Sequence, residues 1–139
     1  MNLKLISLTG IKLDQQIYSA VLPTADGEIS VFPVHEQLVT LARPGIIEVT
    51  FEKDGDEKEY FAISGGVIEI DQTSIKVMVD EADHADDILE AEAKAALEHA
   101  LKLQEEAGDQ VEREKAHQLV DRHMVRLKVA DLQRRKRKH

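Results

Sequence analysis

The sequence predicts an α+β chain: an antiparallel β-sandwich or flattened barrel over residues 1–83, followed by an antiparallel two-helix hairpin over residues 84–139. Three observations carry this. Up to Asp83, short apolar runs alternate with polar residues at period two and are cut by polar turns. Beyond Asp83, apolar residues recur every three or four positions. The charge divides along the chain as well: residues 1–83 carry 15 acidic and 6 basic side chains, residues 84–121 carry 11 and 4, and residues 122–139 carry 1 and 8.

The strands come first. In "IIEVTFEK", Ile47, Val49 and Phe51 fall on one face while Glu48, Thr50 and Glu52 fall on the other, and Ile75, Val77 and Val79 of "SIKVMVD" repeat the pattern. The runs are separated by "TADG", "RPG", "EKDGDEK", "SGG" and "DQTS", all rich in residues that favour tight turns. Aromatic residues make up only 4% of the chain, so the core between such strands is aliphatic.

The helices follow. Leu89, Ala93, Ala96, Ala100, Leu103 and Ala107 form one seam, with Asp83 as the expected N-cap and Asp86 and Asp87 in the first turn, where the helix dipole favours negative charge. Gly108 supplies the stop, and Asp109 with Glu112 has the spacing of a capping box for a second helix. There Ala116, Val120, His123, Leu127 and Ala130 form the matching seam. Helices of about 24 and 28 residues would each run about 35–40 Å at ~1.5 Å per residue. Alanines bring helices close but bury little area, at about 25 cal/mol per Å² of apolar surface. The pair therefore leans on the sandwich or on a partner, and is a candidate moving part.

Composition narrows the function. A net charge of −9 and few aromatics argue against free nucleic acid as a partner. The absence of cysteine excludes a disulfide framework and a cysteine-based metal site, and fits a reducing compartment. The start "MNLKLISLTG" is too short and polar for a signal peptide, and no apolar run reaches transmembrane length, so a soluble, intracellular chain is expected.

Candidate sites are few. In "DGEISVFPVHEQLVTLARPG", His35 stands between Glu28 and Glu36, a set open to metal binding or acid/base work. None of His84, His99, His117, His123 and His139 forms a spaced pair with it, and His117 with Asp121 gives two ligands without a third. A structural or interface role for His35 follows. No nucleophile elbow, Walker loop, Rossmann fingerprint or paired-carboxylate motif is present, so neither catalysis nor a resident metal or cofactor is expected. The terminal "RRKRKH" has three readings: a nucleic-acid or membrane-surface patch, a solvated helix end, or a docking segment for an acidic protein surface. Arg122, Arg126 and Lys128 extend the positive run inward along the helix.

The residues Gly27, Glu28, Ile29, Val31, Pro33, His35, Leu38, Val39 and Thr40, then Pro44-Gly45 and Ser64-Gly65-Gly66, resemble the motif of the epsilon subunit of F-type ATP synthases, and the order of halves agrees. Ser30 and Val34 stand where glycines are usual, and Glu36-Gln37 replaces a common Ala-Pro; losing two glycines leaves the loop less free to take positive φ. The resemblance implies a non-catalytic rotor subunit. Its sandwich, of about ten strands, would bind the gamma subunit and the membrane c-ring, with Glu28 facing the ring and His35 toward gamma. Its hairpin would fold on the sandwich or extend to block ATP hydrolysis, with Arg122, Arg126, Arg134 and Arg135, and secondarily Lys128, meeting an acidic segment of the beta subunit. The implied place is the cytoplasmic face of a bacterial plasma membrane, held there peripherally through the complex. Some members also bind ATP on the folded hairpin. Here Ile88, Ala93, Arg122 and Arg126 match the residues used, but Leu89 and Glu92 replace the motif's aspartate and arginine, and Glu92 places a negative charge where phosphate would lie. Nucleotide sensing is therefore not expected. The competing readings are a coupling subunit that does not inhibit, a nucleic-acid-binding adaptor using the basic tail, and an enzyme built on the sandwich.

Overall fold

The computed structural model describes residues 1–137, so Lys138 and His139 at the end of the basic run lie outside the described residues. Among the described residues ten strands form one continuous sheet folded over on itself. They are β1 (Asn2–Ser7), β2 (Gly10–Gln16), β3 (Ser19–Thr24), β4 (Gly27–Val31), β5 (Leu38–Ala42), β6 (Gly45–Thr50), β7 (Lys58–Ile63), β8 (Gly66–Ile70), β9 (Ser74–Val79) and β10 (Ala82–His84). The order across the sheet is β10-β7-β6-β3-β5-β8-β9-β1-β2, with β4 paired to β3. Every pairing is antiparallel except one: β1 lies parallel to β9, with Leu5 opposite Val77.

The alternation read from the sequence sets which faces turn inward. Ile47, Val49, Ile75 and Val77 are fully buried, and they join Leu3, Leu5, Leu22, Phe61 and Ile68 in one aliphatic core. Phe51 is half-buried against the same cluster. The turn signals have specific partners. In "DQTS", Asp71 Oδ1 accepts the N–H groups of Thr73 and Ser74 at 2.8 and 2.7 Å, and Oδ2 accepts the Ser74 hydroxyl at 2.8 Å. Those donors hold the Asp71 carboxyl below its ordinary pKa, the Thr73 N–H contributing most. In "TADG", the buried Thr24 hydroxyl donates to the Gly27 carbonyl at 2.6 Å and accepts the Asp26 N–H at 3.2 Å. Gly27 itself has φ +111°, a conformation an L side chain rarely adopts.

The helices differ from the expectation at one end. Asp83 does not cap a helix; it lies in β10, which pairs with β7, Asp83 opposite Ala62. Residues Ala85–Asp87 form a 3₁₀ turn, and α1 starts only at Glu90 and runs to Glu106, 17 residues rather than about 24. The sheet ladder outcompetes the helical option for "ADH" because it satisfies the same backbone groups against an existing strand. The cap of the 3₁₀ turn is His84, whose Nδ1 accepts the Asp86 N–H at 3.0 Å while Nε2 lies 3.2 Å from Glu59. The second helix, α2 (Gln110–Arg137), has the expected 28 residues. Asp109 caps it through the Glu112 N–H at 2.8 Å, and Glu112 reaches back to the Gly108 N–H at 2.9 Å, one residue beyond the cap that a regular capping box would use. Gln104 meets His117 near the turn and Glu90 meets Arg134 at the far end, which makes α1 and α2 antiparallel.

The hairpin lies folded on the sandwich. Ala93, Ala100, Ala116, Val120 and Ala130 are buried in the seam, whereas Leu89 and Leu103 are exposed. A second face of α2 carries the docking. Val129 is fully buried, and with Ala130, Ala93, Ile88, Ala85 and Ala62 it forms a small separate core, joined by Val125, Ile46 and Tyr60.

Candidate functional site

Three features bear on function, each built from the elements just described. The first is the outer face of the sheet. Strand register aligns Leu41, Val67, Met78, Ile6 and Ile11 side by side across β5, β8, β9, β1 and β2. Leu41 and Ile11 at its ends are 61% and 58% exposed. The next row on that face is Val39, Glu69, Lys76, Lys4 and Asp14. Inner-face neighbours of the same strands, such as Leu5, Ile68 and Val77, are fully buried, so the pleat has placed a second apolar row outward. Leu8 and Val39, 81% and 71% exposed, extend the apolar surface.

The second feature is β4 and the loop after it, which carry Glu28 and His35 respectively. Glu28 is exposed on β4, opposite Pro23, beside a groove lined also by Arg43, Pro44, Val125 and Lys128, so α2 forms part of its wall. His35 lies beyond β4, half-buried, its Nδ1 3.3 Å from the carbonyl of Glu36 and its Nε2 buried with no hydrogen-bond partner among the described residues. No group of three histidines or carboxylates suited to a metal ion occurs among the described residues. Val34, standing where glycine is usual, has φ +63°. A β-branched residue in this region is strained, so the loop follows a glycine-like turn without glycine.

The third feature is the junction of hairpin and sandwich. Arg122 of α2 forms an ion pair with Glu81, and Arg126 Nε lies 3.4 Å from Asp83 Oδ2. Gln133 donates to Asp86 at 2.7 Å, and Lys136 donates to the Lys58 carbonyl. Arg134 pairs with Asp131 and lies 3.9 Å from Glu90; Arg135 pairs with Asp131 at 3.1 Å. His123 sits between Arg122 and Arg126 in sequence, and its pKa is lowered, by burial first and then by those two cations. The four residues matched to a nucleotide site do not form one site: Ile88 and Ala93 are buried in the small core, whereas Arg122 and Arg126 face carboxylates beside a small cavity lined also by Ser64 and Val125. Glu81 and Asp83, the partners of those arginines, were not singled out by the sequence reading. The spacings, Arg122 and Arg126 four apart and Glu81 and Asp83 two apart, show in the sequence, but their pairing requires the hairpin to be placed first.

Comparison with known proteins places this architecture. The sequence profile described as "ATP synthase, Delta/Epsilon chain, beta-sandwich domain" matches residues 1–85. The ATP synthase epsilon chain of Xanthomonas campestris pv. campestris is 34% identical over 134 residues, covering 93% of this chain and 94% of that one. The epsilon chain of Chloroflexus aggregans is 30% identical over 138 residues, covering 99% and 97%. A chain in the cryo-EM structure of Euglena gracilis mitochondrial ATP synthase, OSCP/F1/c-ring, superposes with a TM-score of 0.77 at 25% identity, covering 94% of this chain and 79% of that one. A chain in the Tetrahymena thermophila central stalk/c-ring structure shares the fold, with a TM-score of 0.60 at 11% identity and 94% and 96% coverage. The chain belongs to the ATP synthase delta/epsilon chain family. Within it, the match is to epsilon chains, non-catalytic central-stalk subunits of the F-type enzyme. No helix among the described residues is long and apolar enough to cross a membrane.

Proposed function

We propose that this chain couples proton-driven rotation of a c-ring to ATP synthesis: residues 1–83 dock on the gamma subunit and the ring, and residues 84–139 restrain ATP hydrolysis when the hairpin extends. The observation that carries the docking half is the outward apolar row Leu41–Val67–Met78–Ile6–Ile11, half-buried in its middle and exposed at both ends, which suits a broad protein partner rather than a small ligand. Glu28 faces the ring from its exposed position on β4, and His35 lies toward gamma. For the regulatory half, Arg122, Arg126, Arg134 and Arg135 each already pair with a carboxylate of this chain, which supports an acidic segment of the beta subunit as their partner on extension, with Lys128 secondary. The setting is peripheral, at the cytoplasmic face of a bacterial plasma membrane. Nucleotide binding is not part of this function, since Glu92 stands where a phosphate would need a cation.

The test uses membranes carrying the whole complex. Ile11→Glu with Leu41→Glu, both at exposed positions, should release the chain from the complex and abolish ATP-driven proton pumping; retention of both would overturn the docking assignment. A chain ending at Asp87, which keeps β10, should raise ATP hydrolysis several-fold with the complex still assembled. An unchanged rate would make the hairpin a brace, and the chain a coupling subunit that does not inhibit.

A further inference from the structure

The backbone that carries the carboxylates facing Arg122 and Arg126 is tied into the sheet. Glu81 sits in the β9–β10 turn, where Ser64 binds its backbone twice: Ser64 Oγ accepts the Glu81 N–H at 2.9 Å, and the Ser64 N–H donates to the Glu81 carbonyl at 3.0 Å. Asp83 is held by the β10–β7 ladder. The sandwich thus presents two acids from rigid backbone, two residues apart, toward one face of α2.

The arginines fit this edge electrostatically, but incompletely. Arg122 reaches Glu81 through Nη2, and Arg126 approaches Asp83 through Nε. Arg122 Nε is buried without a hydrogen-bond partner among the described residues, and Arg126 Nε has only the long 3.4 Å approach to Asp83 Oδ2. A buried donor left unpaired offsets part of what the charge pairing contributes. The contact therefore orients α2 and keeps its two cations occupied, yet holds them weakly. A stronger, bidentate carboxylate pairing elsewhere would draw both arginines away.

We infer that Glu81 and Asp83 form an intramolecular acidic decoy that occupies Arg122 and Arg126 while the hairpin is folded, so that these arginines become available to an acidic peptide only when α2 leaves the sandwich. The two carboxylates set the fraction of time the hairpin is open, and they do so without nucleotide. One pair of arginines then has two mutually exclusive partners, one in the chain and one outside it. This builds on the proposed movement of the hairpin, but the contact itself is tested on the isolated full-length chain, apart from whatever the hairpin does in the complex.

The experiment combines hydrogen exchange with binding of a hexaglutamate peptide. In Glu81→Gln/Asp83→Asn, amides of α2 should exchange about five- to tenfold faster while β1, β8 and β9 keep their protection, and hexaglutamate should bind several-fold more tightly. Arg122→Gln/Arg126→Gln should loosen α2 to the same degree but bind the peptide more weakly than the unaltered chain. Raising salt should speed α2 exchange in the unaltered chain and leave it unchanged in either variant. Unchanged α2 exchange in Glu81→Gln/Asp83→Asn, or faster exchange with no gain in peptide binding, would overturn the decoy. Loss of protection in β1, β8 and β9 as well would overturn it too, because the carboxylates would then be bracing the sandwich.

Discussion

Ser64 and Glu81, 17 residues apart, close on each other through backbone and hydroxyl: the Ser64 Oγ accepts the Glu81 N–H at 2.9 Å, and the Ser64 N–H meets the Glu81 carbonyl at 3.0 Å. This joins the β7–β8 turn to the β9–β10 turn, and it is the anchor from which Glu81 reaches α2.

Removing the hydroxyl leaves the Glu81 N–H without its acceptor in a part-buried position. Ser64→Ala should lower the unfolding free energy by about 1–2 kcal/mol. Urea unfolding of the full chain measures it, and an unmoved midpoint with an unchanged slope would refute the role given to Ser64.

The two glycines after Ser64 are not equivalent. A Cβ on Gly66 would lie 2.0 Å from the Met78 carbonyl oxygen and 2.8 Å from the Val79 Cα, both backbone atoms of the paired strand β9. A Cβ on Gly65 would find the Ala42 carbonyl oxygen at 3.4 Å, an ordinary contact. Gly66→Ala should therefore cost about 3 kcal/mol or prevent folding, and Gly65→Ala less than about 1. Thermal unfolding of the two variants side by side decides this, and equal losses would contradict the packing described.

His123 gives the hairpin a pH dependence of definite sign. Burial and the charges of Arg122 and Arg126 lower its pKa in the folded chain, with Glu81 pulling weakly the other way. A histidine whose folded pKa is depressed takes up fewer protons folded than unfolded. Its neutral form suits the folded state, and stability is lost as pH falls below the ordinary value of about 6.5. Exchange of α2 amides, corrected for intrinsic rates, should accelerate as pH falls below about 6.5. His123→Gln should flatten that response, and a profile identical to the unaltered chain would assign the effect to other groups.

Much of this was legible in the sequence because burial follows periodicity. The alternation of Ile47, Val49, Ile75 and Val77 gave the inward face directly, and Asp109 with Glu112 gave the start of α2. The start of α1 was not legible. Asp83, Asp86 and Asp87 suit a helix N-terminus locally, but β7 offers Ala82–His84 a ladder that no local signal announces. The second face of α2 was not legible because a single heptad-like seam already accounts for the helical spacing. Val125 and Val129, four apart, carry the contact with Ala62 and Ile46 on another side of the helix. The outer apolar row depends on register across five strands, so no single segment shows it. The pairing of Arg122 and Arg126 with Glu81 and Asp83 requires the hairpin to be placed first.

The parallel pairing of β1 with β9 has a consequence for biosynthesis. Leu5 lies opposite Val77, so β1 cannot find its central neighbour until about seventy residues more have left the ribosome. Until then β1 and its hairpin partner β2 are a two-stranded ribbon with an unpaired edge, marginal in water. Arrival of β9 closes the sheet in one late, long-range step, and Ala82–His84 follows at once. The hairpin helices are translated after the sheet, onto a platform already complete, so the part of the molecule proposed to move is also the part that folds after the sandwich.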